Sequence, residues 1–351
     1  MSCTIRLFLL ALIQQAPPAE PVYVANQDAA SITVIDAARN AVVDIVDLKR
    51  LGFSPTAKPH HVAVEPDGSF WYVSLIGDNR VLKFDRANRL VGQARFDQAG
   101  MLALHPSRDL LFVTHSMTAV NPDPTIGVIR RSDMEIEEVD VLIPRPHAVA
   151  VAPAGSHVYV GSLGENRIAV MEVETQRVRL VDVPGDRPHS FVQFAISPAS
   201  PIMVASAELT NLLLVFDLTR PESPSLVKSV PVNPMPWDPV FTPDGRFVYF
   251  GNQRSNTVTV VDASEWTVAS VIEGEGLSDP YGSAVSPDGR YVYIANRWLH
   301  SGGGEHSAHG AGDPGRKATV VVIDTGRRAI QKVIEVPGDA TGVGARPAAL
   351  R

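Results

Sequence analysis

Six times along its 351 residues the chain repeats an apolar strand, a turn centred on proline and a second apolar strand. The turn and second strand read EPDGSFWYVSL from Glu65, HPSRDLLFVTH from His105, APAGSHVYVGS from Ala152, SPASPIMVASA from Ser197, TPDGRFVYFGN from Thr242 and SPDGRYVYIAN from Ser286. The turn prolines Pro66, Pro106, Pro153, Pro198, Pro243 and Pro287 lie 40, 47, 45, 45 and 44 residues apart. A unit of this length cannot bury its apolar face alone and must stack against its neighbours. Each unit continues with a third strand closed by an acid, as in NRVLKFD to Asp85, NRIAVME to Glu172, NTVTVVD to Asp262 and ATVVVID to Asp324, and then with a fourth. Alternating Val, Ile, Tyr and Phe between Asp, Gly and Asn turns marks short antiparallel strands, and no segment carries a helical period. The closing acids are expected to bind turn amides through their carboxylates.

Repeats of this length and strand content are propeller blades. Residues 21–47 supply VYVAN, SITVID and AVVDIV, which are strands two to four of a blade without its first strand. GARPAALR at the other end, around Pro347, is expected to supply the missing strand, with residues 344–351 in the shared blade. Six whole blades and one shared blade predict an all-β fold, a seven-bladed β-propeller of four-stranded antiparallel blades over residues 20–351. Closure removes the open edges of a linear stack.

VYVAN from Val22, VAVEPDG from Val62, AVSPDG from Ala284, VYIAN from Val292 and TVVVIDT from Thr319 resemble the YVTN repeat. The resemblance covers almost the whole chain after residue 20. It implies the propeller fold but no single function, since similar propellers serve as surface-layer proteins, lactonases, streptogramin-type lyases, haem-binding modules and the copper-containing nitrous-oxide reductases. No cysteine follows Cys3, so the Cys-rich copper domain of that reductase has no counterpart.

Composition narrows the partners. A net charge of -7 without a basic face argues against nucleic acid. Arg6, the apolar run Leu7 to Ile13 and the small residues up to Ala19 resemble a short signal peptide over residues 1–19. A run of that length cannot span a bilayer. The expectation is a periplasmic or extracellular mature chain with no membrane span.

In a propeller the first strand of each blade lines the central channel. Counting six residues back from each turn proline places His60, Gly100, His147, Trp237 and Tyr281 where these strands begin, and Ala348 after Pro347 is taken to complete the ring. His189 joins the set if SFVQFAISP carries a bulge of three residues. His61 adjoins His60, and His115 ends FVTH where other blades have Asn26, Asn252 or Asn296. His60, His61, His115, His147 and His189 are therefore the candidate metal ligands, since imidazole suits copper, zinc or iron. Copper comes first by the resemblance alone. Arg145, Arg187 and Arg297 are candidates for neutralising an anion, and Trp237, Tyr281 and Trp298 for stacking on a ligand. His105 and His157 are read as structural. The only sizeable insertion, residues 299–317, is rich in glycine and carries His300, His306 and His309.

Three functions fit. One is binding of a transition metal or small molecule at a His-lined channel mouth. The second is a lactonase- or lyase-like enzyme with a channel histidine as general base. The third is a non-catalytic module that binds a protein or polysaccharide.

Overall fold

The computed structural model describes residues 20–298 and 317–347. The expected signal segment, most of the glycine-rich insertion with its three histidines, and Ala348 lie outside the described residues. Seven four-stranded antiparallel sheets form the ring. Six whole blades are numbered 1 to 6 from Pro59, and the shared blade is 7. Their inner strands are Pro59–Val64, Ala99–Leu104, Pro146–Val151, Phe191–Ile196, Val240–Phe241, Pro280–Val285 and Ala340–Ala345. No described helix is long and apolar enough to cross a membrane.

Blade 7 joins the two ends, with Val22 opposite Ala345 and Asn26 opposite Ala340. This corrects the expected closing strand by seven residues. Pro347 lies at the turn level of Pro66, so Thr341 takes the place assigned to Ala348. In the sequence the glycines of ATGVGA dilute its strand pattern. Those glycines are required by packing. A Cβ on Gly342 would lie 2.1 Å from the His60 carbonyl oxygen, and one on Gly282 2.3 Å from that of Thr341. Only glycine lets the inner strands of blades 6, 7 and 1 approach this closely.

The sheets pack through apolar faces. Between blades 7 and 1 the rings of Tyr23, Trp71 and Phe84 stack in series at 4.4 and 4.2 Å. Of the acids closing third strands, Asp85, Asp262 and Asp324 accept turn amides from Ala87, Ser264 and Arg327 at 2.9 Å each, whereas Glu172 accepts instead from the Thr175 hydroxyl and Arg177 at 2.6 and 3.0 Å.

One backbone device recurs in all seven blades. The residue before each inner strand, or in blade 5 before the bridge of Pro236 to Asn252 that precedes Val240–Phe241, has a left-handed φ, namely Lys58, Gln98, Arg145, Ser190, Met235, Asp279 and Asp339, with φ between 43° and 59°. None is glycine, and such a backbone is sparsely populated by other residues. Its carbonyl accepts the amide following the second strand, as from Ile76 to Lys58 at 3.1 Å, Leu163 to Arg145 at 3.1 Å and Gln27 to Asp339 at 2.9 Å. A bulge then shifts the inner strand against its neighbour, as between Pro59 and Val62.

Candidate functional site

The strand register shows which side chains occupy the upper mouth, the face where the inner strands begin, and each lies six residues before a turn proline. They are His60, Gly100, His147, Val192, Trp237, Tyr281 and Thr341, each following the residue that pairs with the end of the second strand. Histidine thus occupies two of the seven places, and Val192 holds the one expected for His189.

His60 and His147 are buried and face each other edge to face, ring centres 6.5 Å apart. Tyr281 lies 5.8 Å from His60 and 4.8 Å from Trp237. These rings narrow the channel. Above them a pocket of about 70 Å³ is bounded by His60, Tyr281, Gln27, Lys58, Arg297 and Asp339, among others. Arg297 is gripped at 2.6 and 3.0 Å by Asp339, with Asp279 at 3.8 Å. It lies 5.7 Å over Tyr281 and 5.2 Å from the Trp298 ring. Burial alone would lower its pKa, but the Asp339 carboxylate raises it, so Arg297 stays charged.

The partners of each imidazole fix its tautomer. His147 Nδ1 faces the Val192 carbonyl at 2.8 Å and must carry the proton, leaving a lone pair on Nε2. His60 Nδ1 accepts from the Gln27 amide at 3.0 Å, which puts the proton on Nε2. Both Nε2 atoms are buried without a hydrogen-bond partner among the described residues. His61 Nδ1 accepts from the Leu102 amide at 3.2 Å, so its Nε2 also carries a proton. Half-buried, His61 faces the lower part of the channel, where it lines a cavity with Asp238.

The other candidates are held elsewhere. His115 packs at 4.5 Å on Phe96 and binds the Asp97 carbonyl at 2.9 Å, placing it between blades 1 and 2. Both nitrogens of His189 are engaged in the loop before blade 4, by Thr210 at 2.9 Å and the Pro184 carbonyl at 2.8 Å. Arg145 is exposed and donates to the Met117 carbonyl at 2.9 Å. Arg187 is exposed. His105 is structural as expected, its ring bonded to the Gly155 carbonyl and two turn amides. Among the described residues no group of three or more His, Cys, Asp or Glu side chains is placed to hold a metal ion. Sequence reading missed Gln27, Asp339 and Asp238. Asp339 and Gln27 flank inner strand positions of blade 7, and the seven-residue error in that strand concealed them.

Burial pushes the histidines toward neutrality. His61 and His147 each fall to about 4, and His60 goes well below the usual imidazole range, each chiefly by desolvation. His147 and His61 add repulsion at His60, and Arg145 adds it at His147. Unfolded, these rings titrate near 6.5. The stability they contribute is complete above that pH and is lost as pH falls from 6.5 toward 4, at most roughly 3 kcal/mol for His147. Buried Asp238, pushed up to about 7 by desolvation, works in the opposite direction, destabilising the fold as pH rises toward 7. His147→Gln should flatten the acid limb of a melting-temperature profile between pH 7 and 4.5. Parallel profiles for both proteins would refute this account.

No protein-family model matches the chain, and no curated protein does. Solved structures do. A functionally unknown protein from Desulfotomaculum acetoxidans aligns over 94% of this chain and 100% of its own, with TM-score 0.73 and 11% identity. The periplasmic gluconolactonase of Pseudomonas aeruginosa aligns over 95% and 99%, with TM-score 0.71 and 18% identity. AztD from Citrobacter koseri aligns over 93% and 97%, with TM-score 0.66 and 12% identity. Likeness at these identities shows the fold alone.

Proposed function

We propose that the chain is a periplasmic or extracellular propeller that binds a small hydroxylated organic molecule, of the sugar or sugar-lactone type, at the upper mouth. The supporting observation is the pair of buried, unpartnered Nε2 atoms on His60 and His147. One is a donor and the other an acceptor, and a single hydroxyl, itself both donor and acceptor, satisfies them together. The pocket of about 70 Å³ above the ring is lined by His60 and not by His147, so the ligand's hydroxyl reaches past His60 toward His147 while its body stays toward the face carrying Lys58 and Arg297. Tyr281 and Trp237 offer ring surface below. The location rests on the signal-like first residues and on structural likeness to a protein described as a periplasmic gluconolactonase.

Binding is favoured over hydrolysis because an imidazole that stays neutral down to about 4 is a weak general base at neutral pH. Copper, ahead of zinc or iron, is the second reading. Rotation of the Gln27 amide would move the His60 proton to Nδ1 and leave two Nε2 lone pairs, one short of the three protein ligands of catalytic zinc sites. His61 would have to surrender its bond to Leu102.

Calorimetric titration of untagged protein with sugars, aldonic acids and their lactones tests the reading. At least one should bind, and His147→Ala should weaken it about 10- to 100-fold, the cost of losing a buried hydrogen bond. If none binds while copper binds stoichiometrically and depends on His60 and His147, the metal reading replaces this one. Lactone turnover abolished in the same variant would make the site catalytic.

A further inference from the structure

Below the ring of His60, His147, Trp237 and Tyr281 the channel widens into a cavity of about 640 Å³. That volume lies within the range of small-molecule sites. Its wall is mainly apolar, with Val64, Leu104, Ile196, Phe241, Val285 and Val343, and turn prolines such as Pro66 and Pro243 stand at its rim. The titratable groups lining it are Asp238, His61 and His105, the last already bonded at both nitrogens. Among the described residues no other charged side chain lines it.

Asp238 is 7% exposed, and its Oδ2 accepts the Ser283 amide at 3.3 Å, joining blades 5 and 6. That joint needs no charge. Gln193, one residue past the mouth position as Asp238 is, joins blades 3 and 4 with a neutral amide, accepting from Val149 at 3.0 Å. Asp238 therefore bears a desolvation cost that the fold does not require. Its second oxygen has no partner among the described residues, and the Ser283 hydroxyl beside it is buried and unpartnered.

We propose that this lower cavity is a second binding site, independent of the upper mouth, for a protonated amine carried on an apolar body. The ammonium donates to Asp238 Oδ1 and Ser283 Oγ, and the body fills the apolar wall. The amine supplies the counter-ion that the protein withholds. Above the pH at which Asp238 ionises, about 7 in the unliganded chain, an aliphatic amine of pKa about 10 still carries its proton. Affinity therefore rises with pH.

The probes are 2-phenylethylamine and its neutral counterpart 2-phenylethanol, titrated at pH 8 and pH 5.5. At pH 8 the amine should bind at least about tenfold more tightly, and the preference should shrink about tenfold at pH 5.5 as the carboxylate is lost. Asp238→Asn keeps an acceptor for Ser283 and should abolish the preference at both pH values. His147→Ala should leave amine binding unchanged, which separates this site from the upper mouth. Equal affinity for the two probes, a preference that survives Asp238→Asn, or loss of amine binding in His147→Ala would each overturn the proposal. If Asp238→Asn does not fold, a preference that is flat from pH 5.5 to 8 in the unaltered chain overturns it equally.

Discussion

Truncation after Pro337 should lower the melting temperature by on the order of 5–10 °C, because it removes the inner strand of blade 7 and opens the ring. Ala340, Thr341 and Val343 are buried, and the strand's bonds to Val22, Tyr23 and Val24 fix the two ends of the chain together. Lost apolar burial and ladder bonds sum to about 5 kcal/mol or more. Spread over a chain of this size, that loss gives the stated shift. The exposed edge of Pro21–Asn26 should also promote association. A synthetic peptide covering residues 338–351 should restore part of the loss. Unchanged melting of the truncated chain would show that the ring does not depend on this strand. Gly342→Val tests the same closure with one residue, since its side chain has no room beside the His60 carbonyl.

Asp339→Asn should destabilise the fold by about 2–4 kcal/mol, measured by urea unfolding, although the substitution is nearly isosteric. The Arg297 and Asp339 side chains are only 12% and 4% exposed, so removing one charge leaves the other buried and poorly compensated. Asp279 at 3.8 Å offsets part of the loss. Asparagine tolerates the left-handed φ of 56° at this position, so backbone strain is not the cause. Glu335→Gln, which breaks the solvent-exposed pair with Lys317, provides the control and should change stability little. Equal effects for the two substitutions would show that the buried pair has no special weight. Loosening Arg297 also frees the wall of the upper pocket, so ligand affinity there should fall with stability.

Much of the fold was legible because it rests on local chemistry repeated in order. Six turn prolines give the period, apolar alternation gives the strands, and the closing acids give the turns. The missing first strand of residues 21–47 showed that the ends must meet. Placing His60, His147, Trp237 and Tyr281 at the mouth succeeded because each lies six residues before its turn proline, as His60 does before Pro66. In blade 4 the same count gives Val192, and His189 entered the set only through the assumed bulge of three residues, which the strand does not carry. Pro188 and His189 imitate the Pro-His pairs of blades 1 and 3, but the strand begins at Phe191, and His189 stays in the loop.

The sequence by itself determined the number of blades, the all-β class and the face on which the inner strands begin, since these follow from periodicity and from the two chain ends completing one blade. Tertiary structure alone decided which of the candidate histidines share the mouth and which are held away from it. That outcome depends on bulges and left-handed residues that rotate each inner strand, and on contacts between residues in different repeats, such as Gln27 with His60 and Arg297 with Asp339, 33 and 42 positions apart. It also decided the tautomers, because a histidine's proton is placed by its neighbours in space. His61 lies beside His60 in the sequence, yet it opens into a different cavity.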